Sequence, residues 1–163
     1  MLNLKSDSLP KLLISLIIVF ILNIINLPYY LLLFRPYFLA VWIIYFALRF
    51  PGRVSLIFAW FLGLLFDTAA GSLLGQNALY FLLVAYLSLY LQRIIKVFPF
   101  WQQAACIFLI LLSANSFVLS VKAVITSTAI DWRYIITSFV TSCFWPIICY
   151  WMDIFYLRNT HHA

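Results

Sequence analysis

Small residues and one carboxylate recur at every fourth position near the middle of this chain: Gly63, Asp67, Gly71 and Gly75. Glycines at that spacing let backbones approach closely inside a bilayer, and Gly71-Ser72-Leu73-Leu74-Gly75 has the small-xxx-small form that packs helices there. Two chemistries fit. In one, the segment is an interfacial turn, with Asp67 near the outer headgroups and the glycines supplying backbone angles closed to other residues. In the other it is a packing or docking surface on which Asp67 pairs with a basic residue, Arg35 being expected on the same side. The spacing favours the turn. A second constellation, Ser113, Asn115, Ser116 and Ser120, lies in otherwise apolar sequence. Ser113, Ser116 and Ser120 share a helical face at i, i+3 and i+7. There they are expected to hydrogen-bond neighbouring helices, at about 0.6 kcal/mol each. A ligand pocket is the alternative use of that face.

Groups suited to catalysis are scarce. Glutamate is absent, and the two histidines, His161 and His162, stand in the extreme C-terminal tail. A Ser/His/Asp arrangement therefore has no base within the apolar sequence, and a zinc site lacks ligands. The four glycines (Gly52, Gly63, Gly71, Gly75) form no phosphate-cradling loop followed by Lys and Ser or Thr. Cys106, Cys143 and Cys149 lie inside apolar runs with no CxxC and read as small hydrophobes. Ion pumps bury paired acids or bases, and Asp67 alone is a candidate. The inventory argues against an enzyme, a cofactor or a metal, and for a binding or scaffold role.

The elements that must position these residues follow from composition. Of 163 residues, 67% are hydrophobic and 9% charged, against about 45–50% and about 25% in soluble domains. The four longest runs without Asp, Glu, Lys or Arg are Leu12–Phe34, Thr68–Gln92, Val97–Val121 and Tyr134–Met152. Each is near or above the ~20 residues that cross a hydrocarbon core. A soluble enzyme, a disordered tail and a single-span anchor with a soluble head are thereby excluded. The expected fold is an all-α polytopic integral membrane protein, one transmembrane helical domain over residues 1–163. Helices are expected at about 12–32, 36–48, 54–66, 77–91, 104–121 and 134–152, the last kinked at Trp145-Pro146.

Helices 2 and 3 are short, about 20 Å each at 1.5 Å per residue. They flank the Pro51-Gly52 turn. A re-entrant hairpin from outside would leave Arg49 and Arg53 near the bilayer centre, at about 2.5–3.5 kcal/mol each. Full crossing lets both reach the cytoplasmic headgroups by snorkelling. Six crossings place Lys5, Lys11, Arg49, Arg53, Arg93, Lys96 and Arg158 on one side and Arg35, Lys122 and Arg133 on the other. The excess of positive charge marks the cytoplasm, with both termini there. Lys5 and Lys11 precede an apolar run too long for a cleaved signal peptide, so the first helix is expected to be retained. The net charge of +6 forms no basic stripe, so nucleic acid is not an expected partner.

Several of these features also occur together in a known family. Phe34-Arg35-Pro36, Pro51-Gly52-Arg53, Gly63, Asp67, Gly71-Ser72 with Leu74-Gly75, Trp101-Gln102-Gln103 and Trp145-Pro146 stand in an order and spacing that resembles the bacterial rod shape-determining membrane protein MreD family. The resemblance covers roughly residues 30–150. It implies an inner-membrane, non-catalytic subunit of the cell-elongation machinery that scaffolds or regulates lateral-wall peptidoglycan synthesis. The implied partners are membrane lipids, an MreC-like bitopic membrane protein and, through it, an MreB-like filament and peptidoglycan synthases. Arg35, Asp67, Gly71 and Gly75 match the family pattern, and Arg53 and Gly63 belong with them as candidates for docking or packing. A reading from another class is a substrate-binding membrane subunit of a vitamin-type transporter, for which the Ser/Asn face of helix 5 would line an outward pocket.

Overall fold

The structure, a computed structural model, describes residues 8–24, 36–52, 54–126 and 133–157. Among these residues all regular structure is helical. The elements are α1 (Ser8–Ile24), α2 (Phe38–Arg49), α3 (Leu56–Ala70), α4 (Gln76–Ile95), α5 (Phe100–Thr126), α6 (Arg133–Cys143) and α7 (Trp145–Leu157). By length and composition, α4 and α5 can each cross a membrane; α6 and α7, bent by 41° where they meet, make a third candidate span if taken together. The described apolar parts of α1, α2 and α3 are shorter.

The shortness of α2 has a packing counterpart. Every side chain from Leu39 to Leu48 is buried, and the helix is enclosed by α1, α4 and α7. A helix that is apolar all round belongs inside a bundle. Trp42 ties it to two neighbours, its ring 6.3 Å from that of Phe58 of α3 and its Nε1 donating to Ser15 Oγ of α1 at 3.0 Å. The outer helices do the reverse. Leu13, Ile14, Ile17, Ile18 and Ile21 of α1 and Ile57, Phe61 and Leu65 of α3 are exposed. Such apolar stripes suit a lipid environment, where hydrocarbon is as good a neighbour as leucine.

Several helix ends differ from expectation, and charge explains two of them. Helix 3 was expected to stop at Phe66 but runs to Ala70, because the carboxylate of Asp67 is bonded inside the protein. Helix 6, expected to stop at Met152, continues to Leu157 and carries Asp153 within it. Its expected kink is a full break: Phe144 is a turn between two helices, and Pro146 has no N–H to offer the carbonyl four residues back. Helix 5 is longer at both ends than 104–121. The expected second half of helix 1 and residues Arg35, Arg53, Trp132 and Arg158 lie outside the described residues.

Candidate functional site

Asp67 holds the α3–α4 turn from within. The residue is 1% exposed, and both carboxylate oxygens accept hydrogen bonds. Oδ1 takes the Ser72 hydroxyl at 2.7 Å, the Asn77 side-chain amide at 2.8 Å and the Asn77 backbone N–H at 3.0 Å. Oδ2 takes the Gly75 N–H at 2.8 Å and, more weakly, the Ala78 N–H at 3.4 Å. The amides of Asn77 and Ala78 belong to the first turn of α4, which has no intrahelical acceptors and carries the positive end of the helix dipole. Gly71 ends α3 in the left-handed region at φ 64°, and Gly75 precedes α4 at φ 95°. Both angles disfavour any residue with a Cβ. Gly63 lies one turn deeper, where a Cβ would fall 2.6 Å from the Ala78 nitrogen and 2.7 Å from the Asn77 carbonyl oxygen.

A cavity of about 350 Å³ opens beside this turn, lined in part by Asn23, Tyr37, Gln76, Asn77, Arg133 and Thr137. Beneath it Asn115 of α5 donates to the Ser138 hydroxyl of α6 at 2.8 Å. The Tyr37 N–H donates to Thr141 Oγ1 at 3.1 Å. The polar face that joins helices is thus on α6, where Thr137, Ser138, Thr141 and Ser142 are all buried. The serines of helix 5 behave otherwise than expected. Ser113 and Ser120 are exposed and donate to their own helix, to the Ile110 and Ser116 carbonyls; Ser116 is also exposed. Only Asn115 of that set is buried. Serine's i−3 and i−4 back-bonds satisfy it locally, whereas the longer asparagine amide reaches a neighbour.

The opposite end of the bundle has its own polar cluster. Arg49 closes α2 and pairs with Asp153 of α7 at 2.6 Å, and the Tyr45 hydroxyl donates to the other oxygen of Asp153 at 2.7 Å. Nearby, Gln103 donates to the Phe98 carbonyl at 2.9 Å and accepts from Trp145 Nε1 at 3.4 Å. Trp101-Gln102-Gln103 and Trp145-Pro146, separate in sequence, therefore meet here. Among the described residues no group of three His, Cys, Asp or Glu comes together to hold a metal ion.

Comparison with known proteins decides the relationship. The model of the family described as rod shape-determining protein MreD matches residues 8–155. The chain belongs to the MreD family. Rod shape-determining protein MreD of Haemophilus influenzae is 25% identical over 130 residues, which is 80% of this chain and 80% of that one. No solved structure matches. The stretch matched by the MreD family contains both polar ends of the bundle, and the structure distributes the sequence candidates between them. Gly63, Asp67, Gly71 and Gly75 gather at the α3–α4 turn, while Arg35 and Arg53 lie outside the described residues.

Two features of this MreD-family chain escaped the sequence reading. Asp153 passed as the residue after a helix end. The usable signal was its setting: one of four acids in the chain, with Trp151 and Met152 before it and Ile154 and Phe155 after it. An ionisable residue in such surroundings usually has a partner. The α6 stripe was announced by Thr137, Ser138, Thr141 and Ser142 at i, i+1, i+4 and i+5.

Proposed function

We propose that the chain is a non-catalytic scaffold or regulatory subunit of the machinery that elongates rod-shaped cells. It sits in the bacterial inner membrane with six crossings and both termini in the cytoplasm. In this reading it works with an MreC-like single-span protein and, through that partner, with an MreB-like filament and peptidoglycan synthases. The observation that carries the reading is the family match across residues 8–155. The geometry supports it, since both described acids are committed to structure: Asp67 to the α3–α4 turn and Asp153 to Arg49. Neither is poised as a general acid or base. Asp67 then serves a partner indirectly, by shaping the outer turn around Gly71 and Gly75.

Depletion of the protein is expected to turn rods into spheres, and the intact chain is expected to co-purify with a single-span partner in mild detergent. Normal rods after depletion would refute the proposal. The 350 Å³ polar cavity beside the α3–α4 turn favours a second reading, a substrate-binding subunit of a vitamin-type transporter. Unchanged shape with lost vitamin uptake would select it.

A further inference from the structure

Two cavities flank the Arg49–Asp153 pair at the end of the bundle where α2, α4 and α7 finish and α5 begins. One, of about 300 Å³, is lined by Arg49, Lys96, Gln103 and Trp145 among others. The second is a cleft of about 560 Å³ whose walls include Phe100, Trp101, Ala104, Pro146 and Tyr150, with Asp153 on its lining. The first cavity is basic and polar; the second is almost wholly apolar and aromatic. Asp153 joins them, since it lines the cleft and reaches Arg49 of the neighbouring cavity.

We propose that this end of the bundle binds one anionic phospholipid, with its phosphate at Arg49 and Lys96 and an acyl chain in the Trp101–Tyr150 cleft. Charge supports the headgroup assignment. The cavity presents two cations against the single carboxylate of Asp153. Arg49 engages Asp153 and Cys149 through Nη2, and among the described residues its Nε and Nη1 donors take no bond. Arginine's fork can hold a carboxylate and a phosphate oxygen together. Lys96 is exposed and has no ion pair among the described residues, so it can move onto a phosphate without breaking one.

The tail assignment rests on the adjoining cleft. Trp101 is 88% exposed, and Tyr150 is exposed beside it, as amphipathic rings are at the level of headgroups. A free phosphate would fill the basic cavity and leave the cleft empty. A lipid fills both. Basic cavities between helices on the cytoplasmic side are suited to anionic headgroups. The inference rests on the proposed membrane orientation and not on the choice of protein partner.

The full chain, purified in mild detergent, is mixed with equal amounts of phosphatidylglycerol and phosphatidylcholine, and retained lipid is counted by native mass spectrometry. Phosphatidylglycerol is expected to be retained preferentially. Lys96→Gln is expected to lower its retention about fivefold, the worth of one cation near an anionic lipid surface, and Trp101→Ala is expected to lower retention of both lipids. Both positions are exposed, and an unchanged melting temperature verifies folding. Equal retention of the two lipids, or full retention by Lys96→Gln, overturns the site. Displacement of phosphatidylglycerol by millimolar inorganic phosphate also overturns it, assigning the cavity to a soluble anion. Flotation of the protein with membrane vesicles tests the membrane reading separately, and cell shape after depletion tests the partner reading.

Discussion

Asp67 shows how a carboxylate can be held in a largely apolar chain by neutral donors, with no cationic partner among the described residues. Five hydrogen bonds reach its two oxygens, three from backbone amides and two from side chains. Bonds to a charged acceptor contribute about 1.5–3 kcal/mol each, less the cost of desolvation. Asp67→Asn replaces one acceptor oxygen by an NH₂ group that confronts the amides of Gly75 and Ala78 or the donors on the other side. We expect this substitution to lower stability by about 2–3 kcal/mol, read as a fall in melting temperature in detergent. Partner capture should fall only in proportion to the loss of folded protein. A normal melting temperature combined with lost capture would instead make the carboxylate a direct docking group.

At the scale of elements, the α3–α4 hairpin depends on the absence of a side chain at Gly63. Its Cβ would meet backbone atoms of Ala78 and Asn77, and backbone cannot rotate aside as a side-chain tip does. Gly63→Ala must separate the two helices or tilt one of them. Overpacking of this kind costs about 1–3 kcal/mol. The same shift would draw the α4 amides away from Asp67, so the two effects should couple. We expect Gly63→Ala to lower the melting temperature, and Gly63→Ala with Asp67→Asn to lower it by less than the sum of the two single changes. Strict additivity in a double-mutant cycle would disprove the coupling. A Cβ at Gly52, by contrast, meets nothing within 4 Å.

For the whole molecule, the distribution of charge and the packing of helices bear on one topology. Arg49, Arg93 and Lys96 lie at the end of the bundle where α2 and α4 finish, and the α3–α4 turn lies at the other. With the basic end in the cytoplasm, a cysteine placed beside Gly71 should react with an impermeant thiol reagent added outside intact cells. One placed beside Pro51 should not. The background must lack Cys106, Cys143 and Cys149, all free and the second exposed. Reversed labelling would invert the proposed orientation and remove the cytoplasmic placement on which the phospholipid site rests.

Composition and the length of uncharged runs were enough to read a helical chain made for lipid, and turn chemistry was enough to place its breaks. Pro51-Gly52 does form a turn, and the last helix does break, at Phe144 just before Trp145-Pro146. These are local properties: a proline removes one N–H whatever surrounds it. The order of the motifs was likewise legible, and it pointed to the MreD family that the comparisons show. Burial was not legible. Lipid and protein interior are equally apolar, so Leu39–Leu48 of α2, all buried, look in sequence like the exposed apolar stripe of α1. Polar partners were hidden for a different reason. Arg49 and Asp153 stand 104 positions apart, and nothing local to either one names the other. The spacing pointed to a turn at Asp67 but not to its partners; folding supplies the amides of α4, because the turn at Gly71 and Gly75 points the N-terminus of that helix at the carboxylate.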